Sequence, residues 1–208
     1  MHAYCSSLFT CNVPRGLRRW LVSCLALALS SQALATTFLE LDLESLLRQS
    51  EIVVFGRVLD SRVENRDGDP WTVVRILPIR DLLAELASDS NSGDANSDNG
   101  NNDNSDDEDD SISLAFYGGT LADGSSLSVS GMPTFNNNEE VLLLAYDASY
   151  YSPIVGFSQG LWRLAARGFV DEQGRVLSLD EEGMLLRDGE GGGTEDILDA
   201  LRAMLETL

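Results

Sequence analysis

Residues 52–63, IVVFGRVLDSRV, open as a continuous apolar run and turn polar toward their end, as a strand does when it leaves a core. Gly56 in the middle predicts a bulge or a sharp bend. Asn65-Arg66-Asp67-Gly68-Asp69-Pro70 is a turn cluster, and residues 71–77 read as the return strand. Pro78 lacks an amide hydrogen and should mark the end of that strand or an edge position. A hairpin is therefore the first element of the fold that the residues define.

Working outward, a short helix precedes the hairpin. Leu43, Leu46 and Leu47 share a face, Asp42 caps the first turn, and Arg48 suits the C-terminal end. Residues 81–87 read as one or two further helical turns. Ile112, Leu114 and Phe116 alternate with Ser113 and Ala115, the pattern of a half-buried strand broken by Gly118-Gly119. Leu127 and Val129 begin another, stopped by Gly131 and Pro133. Residues 141–146, VLLLAY, are apolar on both faces and predict a central strand. Residues 154–155, 161–164, 169–170 and 175–179 continue the series, with a turn at 171–174. Thr194 caps a closing helix with Ile197, Leu198, Leu201 and Leu205 on one stripe. Many short strands at near-regular spacing predict a mainly β protein, a small antiparallel barrel with short flanking helices. A β-sandwich is the alternative architecture.

The composition restricts chemistry more sharply than it restricts fold. The chain has no lysine; its fourteen basic residues are all arginine, its one histidine is His2, and its three cysteines are Cys5, Cys11 and Cys24. Residues 15–35 carry the zones of a secretory signal: Arg15, Arg18 and Arg19, then the apolar stretch 20–29, then Ala33-Leu34-Ala35 ahead of a cleavage point. The apolar run is far shorter than the ~20 residues of a permanent span. A lipid on Cys24 is disfavoured because most of the apolar run follows that cysteine instead of preceding it. Residues 1–14 make a long lead-in, which suits a start codon further along.

Cleavage there leaves 36–208 as a single β-barrel-like domain, secreted or periplasmic, with no histidine, cysteine or lysine. Removing the three arginines of the signal takes the formal net charge from −20 to −23. Such a charge opposes binding to nucleic acid and to anionic membranes. His-assisted nucleophiles, Cys thiolates, Schiff-base lysines and His or Cys zinc sites all lack their essential group. No Gly-x-Ser-x-Gly elbow occurs, and no histidine is available to activate Ser130. Glu139 and Glu140 are adjacent, so on a strand they point to opposite faces and cannot work as an acid–base pair.

Residues 88–111 hold nine acidic residues, no basic ones and a single alanine as the only apolar side chain. This composition predicts a disordered insertion. Asp94-x-Asn96-x-Asp98 has the spacing of the first half of an EF-hand loop. The turn glycine is displaced to Gly100, however, and Ser105 stands where a bidentate Glu is needed. Loose divalent cation association is the expectation, not a specific calcium site.

The segment from Gly118 to Gly160 resembles a group of exported bacterial proteins of unknown function. The pattern stands here as Gly118-Gly119, Ser130-Gly131-Met132-Pro133-Thr134-Phe135, Glu139-Glu140 ahead of an apolar strand, and Gly156-Phe157-Ser158-Gln159-Gly160. Residues 43–63 also look like the start of that group. Asn138 departs from the group's glycine before Glu139-Glu140. Asn is the residue that best tolerates a left-handed turn after glycine, so the turn should survive. The resemblance implies oligonucleotide-binding-like topology, without any nucleic-acid function and without catalytic residues.

The expectations for function follow. The protein is a non-catalytic exported binding module, without cofactor, metal or catalytic site, and its partner is another exported protein. A carboxylate-dependent hydrolase of glycosidase type and a calcium-responsive envelope protein are the alternatives. Gly131 and Pro133 should place Phe135 as an anchor ring over the barrel end, a site worth roughly 3–5 kcal/mol if fully buried. Gln159-Gly160 either presents an amide to a partner or forms a β-bulge, the second being the simpler expectation.

Overall fold

The computed structural model describes residues 39–91 and 111–208. The segment 15–35 expected to be a secretory signal and the EF-hand-like Asp94, Asn96 and Asp98 lie outside the described residues. Glu40–Leu208 forms one compact unit.

The first element is helix α1 (Leu43–Arg48). Asp42 caps it as its sequence requires: Ser45 N–H donates to Asp42 Oδ1 at 2.6 Å. Glu44 and Arg48 pair one turn apart at 2.7 Å. Strands β1 (Ile52–Arg66) and β2 (Asp69–Asp81) follow as a long hairpin. Asp67 and Gly68 both adopt positive φ, 54° and 97°, as a two-residue turn between right-twisted strands demands. The register shifts at Phe55/Gly56, where the bulge was expected. A Cβ on Gly56 would sit 2.8 Å from the Leu77 carbonyl oxygen, so only glycine fits. Strand β2 does not stop at Pro78. Pro78 lies opposite Gly56 on β1, beyond the part of β2 that the next strand covers, so its missing N–H costs no ladder bond.

Helix α2 (Leu82–Asn91) is longer than the sequence suggested and runs into the acidic tract. Asp81 Oδ1 accepts from Leu83 and Ala84 N–H at 3.2 and 3.0 Å. Ser88 and Ser90 turn their hydroxyls back onto helix carbonyls, and Asp89 pairs with Arg202. The expected insertion therefore loses its first four residues to the helix, and 92–110 lie outside the described residues.

Strand β3 (Ile112–Tyr117) buries Leu114 and Phe116, as the alternation predicted. Strands β4 (Gly119–Thr120) and β5 (Ser126–Leu127) make a small hairpin. Then come β6 (Glu140–Ala145), β7 (Leu161–Ala165), β8 (Gly168–Val170), β9 (Leu177–Leu179) and β10 (Leu185–Arg187). Helix α3 (Thr194–Glu206) closes the chain. Thr194 is its first helical residue; the cap position belongs to Gly193, which contributes no side-chain bond. Glu195 and Asp196 in the first turn favour the positive end of the helix dipole instead.

Six strands form one antiparallel sheet in the order β3-β2-β1-β6-β7-β8. The expected central strand is central, with β6 between β1 and β7, and both of its faces are buried. One face, with Val53, Phe55, Leu142, Leu144 and Trp162, packs beneath the leucines of α1 and Ile197, Leu198 and Leu201 of α3. The other, with Val54, Val58, Val74, Ile76, Leu114, Phe116, Val141 and Leu143, has no helix of the described residues packed in its cluster. Loop residues Ile154, Met132 and Phe135 pack there.

The protein is thus mainly β, with antiparallel sheets and small helices. Among the described residues the sheet is not closed into a barrel, because no ladder joins β3 to the far strands. The chain that reaches the outer edge of β3 is the irregular stretch 146–153. It offers a single carbonyl, Tyr151 O, which accepts from Tyr117 N–H at 2.8 Å. The two other sheets are two-stranded, too small for the second layer of a sandwich.

Candidate interaction surface

The open seam beside β3 is the most distinctive surface feature of the molecule. In an antiparallel pair, residues alternate between pointing their backbone groups toward the partner strand and away from it. Gly118 N–H donates to Pro70 O in the direction of β2, whereas Tyr117 N–H points outward to Tyr151 O. By that alternation the N–H and C=O groups of Ser113 and Ala115 also point outward, away from β2.

A groove of about 490 Å³ lies along this edge. It is bounded by Ile112–Ala115 on one side and by Ile52, Tyr146–Ser149 and Pro153 on the other, with Trp71, Val73 and Arg66 at one end. Its size falls in the range of built binding clefts, about 300–1,000 Å³.

Aromatic rings gather at that end. Trp71 meets Tyr117 edge-on at 5.2 Å and lies nearly parallel to Tyr151 at 6.3 Å, while Tyr117 and Tyr151 are 4.8 Å apart. Trp71 stands directly across from Tyr117 in the ladder between β2 and β3. Tyr151 is 65 % exposed and Tyr150 53 %, so this aromatic area faces water. Tyr117 Oη donates to Asp69 Oδ2 at 3.1 Å, and that carboxylate raises the phenol's pKa by favouring its protonated form.

The charges around the groove are unequally occupied. Arg66 lies 5.6 Å from the Trp71 ring centre and pairs with Glu64 at 3.1 Å. Hydrogen bonds from Arg62 first, then Arg66, hold Glu64 below the usual carboxylate range. Asp147 donates its N–H to Glu51 Oε2 at 2.7 Å and lines the groove, and no ion pair to its carboxylate forms among the described residues.

A second, smaller hollow of about 280 Å³ lies between the Gly118-Gly119 turn and the loop 128–134, with Phe116, Met132 and Pro133 among its walls. Phe135 sits beneath that loop, half-buried, its ring 5.1 Å from Phe116. Asn138 adopts φ 66°, the left-handed turn expected of the residue that replaces glycine.

Other residues singled out in the sequence are placed apart. Glu140 pairs with Arg57 at 2.7 Å, while Glu139 accepts from Asn136 N–H at 2.9 Å and lies 3.6 Å from Arg163. The two glutamates therefore serve different arginines. Gln159 is engaged within its own chain. Its Oε1 accepts from Leu41 N–H at 2.8 Å and its carbonyl from Arg187 at 3.3 Å, tying the start of the domain to the turn before β7. Gly160 is no bulge in a ladder but a close approach, where a Cβ would stand 2.6 Å from the Leu144 carbonyl oxygen. Ser130 is exposed beside the smaller hollow.

Among the described residues no group of three or more His, Cys, Asp or Glu is disposed to hold a metal ion, and no helix is long and apolar enough to cross a membrane. Compared with known proteins, the chain matches no family model, no curated protein and no solved structure.

The sequence reading did not assemble the aromatic cluster. Trp71, Tyr117 and Tyr151 are far apart in the chain. The available signal was local: an exposed Tyr150-Tyr151 pair in a polar turn, and a Trp directly after a hairpin turn.

Proposed function

We propose that this is a non-catalytic binding module of an exported protein, and that the groove beside β3 is where its protein partner sits. The observation that carries the reading is the cluster Trp71, Tyr117 and Tyr151 at the mouth of that groove. Aromatic rings supply large contact area at small entropic cost and dominate protein interfaces.

The carboxylates support a non-catalytic role. Those with displaced titration are displaced downward, and each has a donor in place. Glu85 is engaged by Arg80, Asp60 by Arg75, Glu40 by Arg175, Asp123 by Ser125 and Asp42 by the Ser45 amide. A general acid needs the opposite shift. We further infer an oligonucleotide-binding-like barrel topology, curled enough to enclose its own apolar face, with residues 146–154 standing where a closing strand would be. The full burial of Val54, Val58, Val74 and Ile76, with no helix of the described residues in their cluster, supports it.

The test is capture of partners from the exported fraction by the wild-type chain and by Tyr151→Ala. The Tyr151 ring is mostly exposed, so the fold should survive its loss. An interface aromatic of this kind is worth about 2 kcal/mol or more, so capture should fall by roughly thirtyfold. Capture that is equal for both chains would remove the groove from consideration.

A further inference from the structure

We propose that the edge of β3 left without a partner strand among the described residues takes an extended, basic segment of the partner protein as an added strand, with the Trp71–Tyr117–Tyr151 cluster receiving its apolar side chains and Asp147 its cation. This rests on the binding reading above and specifies its chemistry.

An exposed strand edge is a template for pairing, and folded proteins usually blunt theirs with charged residues, proline or bulges. Strand β3, Ile112–Tyr117, has the sequence ISLAFY, with no charge and no proline, and its pairing with β2 runs without a register shift. One outward amide of the edge, that of Tyr117, already donates to Tyr151 O. The outward amides of Ser113 and Ala115 open instead onto the groove. Recognition by strand addition uses such a row for affinity and the flanking pockets for alternate side chains.

Charge selects the occupant. Among the described residues the one cation lining the groove, Arg66, is held by Glu64 and by the face of Trp71. The Asp147 carboxylate has no such partner, and Asp69 and Glu51 lie close by. A second copy of this chain would bring another edge of the same kind, but also a formal charge of −20 against −20. A segment with lysine or arginine at alternate positions meets the edge without that repulsion.

The experiment uses the purified chain and four hexapeptides: Lys-Val-Lys-Val-Lys-Val, its Glu-Val counterpart, and the Lys peptide N-methylated on alternate amides in each of the two registers. Amide exchange is followed by NMR. Saturation with the Lys peptide should slow exchange at Ser113 and Ala115 at least tenfold. The Glu peptide should not bind. N-methylation should weaken binding about tenfold in the register that faces β3 and little in the other, since each lost bond is worth a few-fold to tenfold. Asp147→Asn should weaken the Lys peptide about threefold, as expected for an exposed ion pair. Absence of Lys-peptide binding, or binding that leaves both amides exchanging freely, overturns strand addition. If capture from the exported fraction still depends on Tyr151, the groove remains the site and only the mode of binding falls. If capture ignores Tyr151, the binding reading falls as well.

Discussion

Truncation of Phe135 to alanine separates an anchor of the fold from a residue of the binding surface. Emptying a fully buried aromatic site costs about 3–5 kcal/mol. Phe135 is only half-buried, at the margin of the apolar face that no described helix covers, so its burial contributes about 1.5 kcal/mol. Its ring pair with Phe116, 5.1 Å between centres and tilted by 46°, adds roughly 0.5–1.5 kcal/mol. The expected loss is therefore about 2–3 kcal/mol, smaller than the composition of the motif alone implied. For a domain of this size each kcal/mol moves Tm by about 2–4 °C, so the mutant should melt roughly 5–10 °C lower. Urea unfolding followed by Trp fluorescence measures the same loss at constant temperature, and Phe135→Leu should recover more than half of it. Unchanged stability together with lost partner capture would refute the anchor reading and move Phe135 to the interface.

Asn138→Gly should leave stability within about 0.5 kcal/mol of wild type, whereas Asn138→Val should cost about 1–2 kcal/mol, because φ there is 66° and a branched side chain resists the left-handed region; thermal melts of both decide it. Gly160→Ala should destabilise by roughly 1–3 kcal/mol, since its Cβ would press on the Leu144 carbonyl oxygen, and near-neutrality in chemical denaturation would show that the turn can move aside. Arg80 joins β2 to Glu85 of α2 at 2.8 Å and to Glu195 and Asp199 of α3 at 3.1 and 3.0 Å. The pKa of Glu85 is lowered in the folded state, mainly by its hydrogen bonds from Arg80, so the pair stabilises above the unfolded pKa near 4.5 and fades as pH falls through the folded value. Arg80→Met should therefore be less stable at neutral pH and should lose less stability than wild type between pH 4.5 and 2.5 in pH-dependent urea unfolding.

What was legible in the sequence was whatever depends on a short window. Period-two alternation placed Leu114 and Phe116 inside, the unbroken run at 141–146 placed β6 between neighbours, and Asp42 with its three leucines placed α1. Asn138 betrayed its left-handed turn through its own side-chain preference. What was not legible depends on distant residues. The end of α2 is polar and of poor helix propensity, and is accompanied by Asp89 meeting Arg202 on α3. The hairpin of β9 and β10 has strands of three residues, too short to show a period. Closure of the sheet was expected from the number of strands. It is absent because residues 146–153 bring one carbonyl to β3 where a strand would bring a row.

That missing row links the architecture to the proposed function. Most of the arginines of the folded unit are committed to carboxylates of the same chain: Arg57 to Glu140, Arg75 to Asp60, Arg80 to Glu85, Arg163 to Glu172 and Arg175 to Asp171. Positive side-chain charge is thus largely occupied within the fold, the histidine and cysteines lie outside it, and lysine does not occur. The seam offers backbone N–H and C=O groups instead, beside exposed rings and the Asp147 carboxylate. A backbone ladder accepts any sequence able to extend, so affinity on this surface should depend on the partner's apolar residues only where they meet the aromatic cluster. Discrimination should come from charge: an acidic segment meets Asp147, Asp69 and a chain of formal charge −20, and is repelled before its backbone can pair.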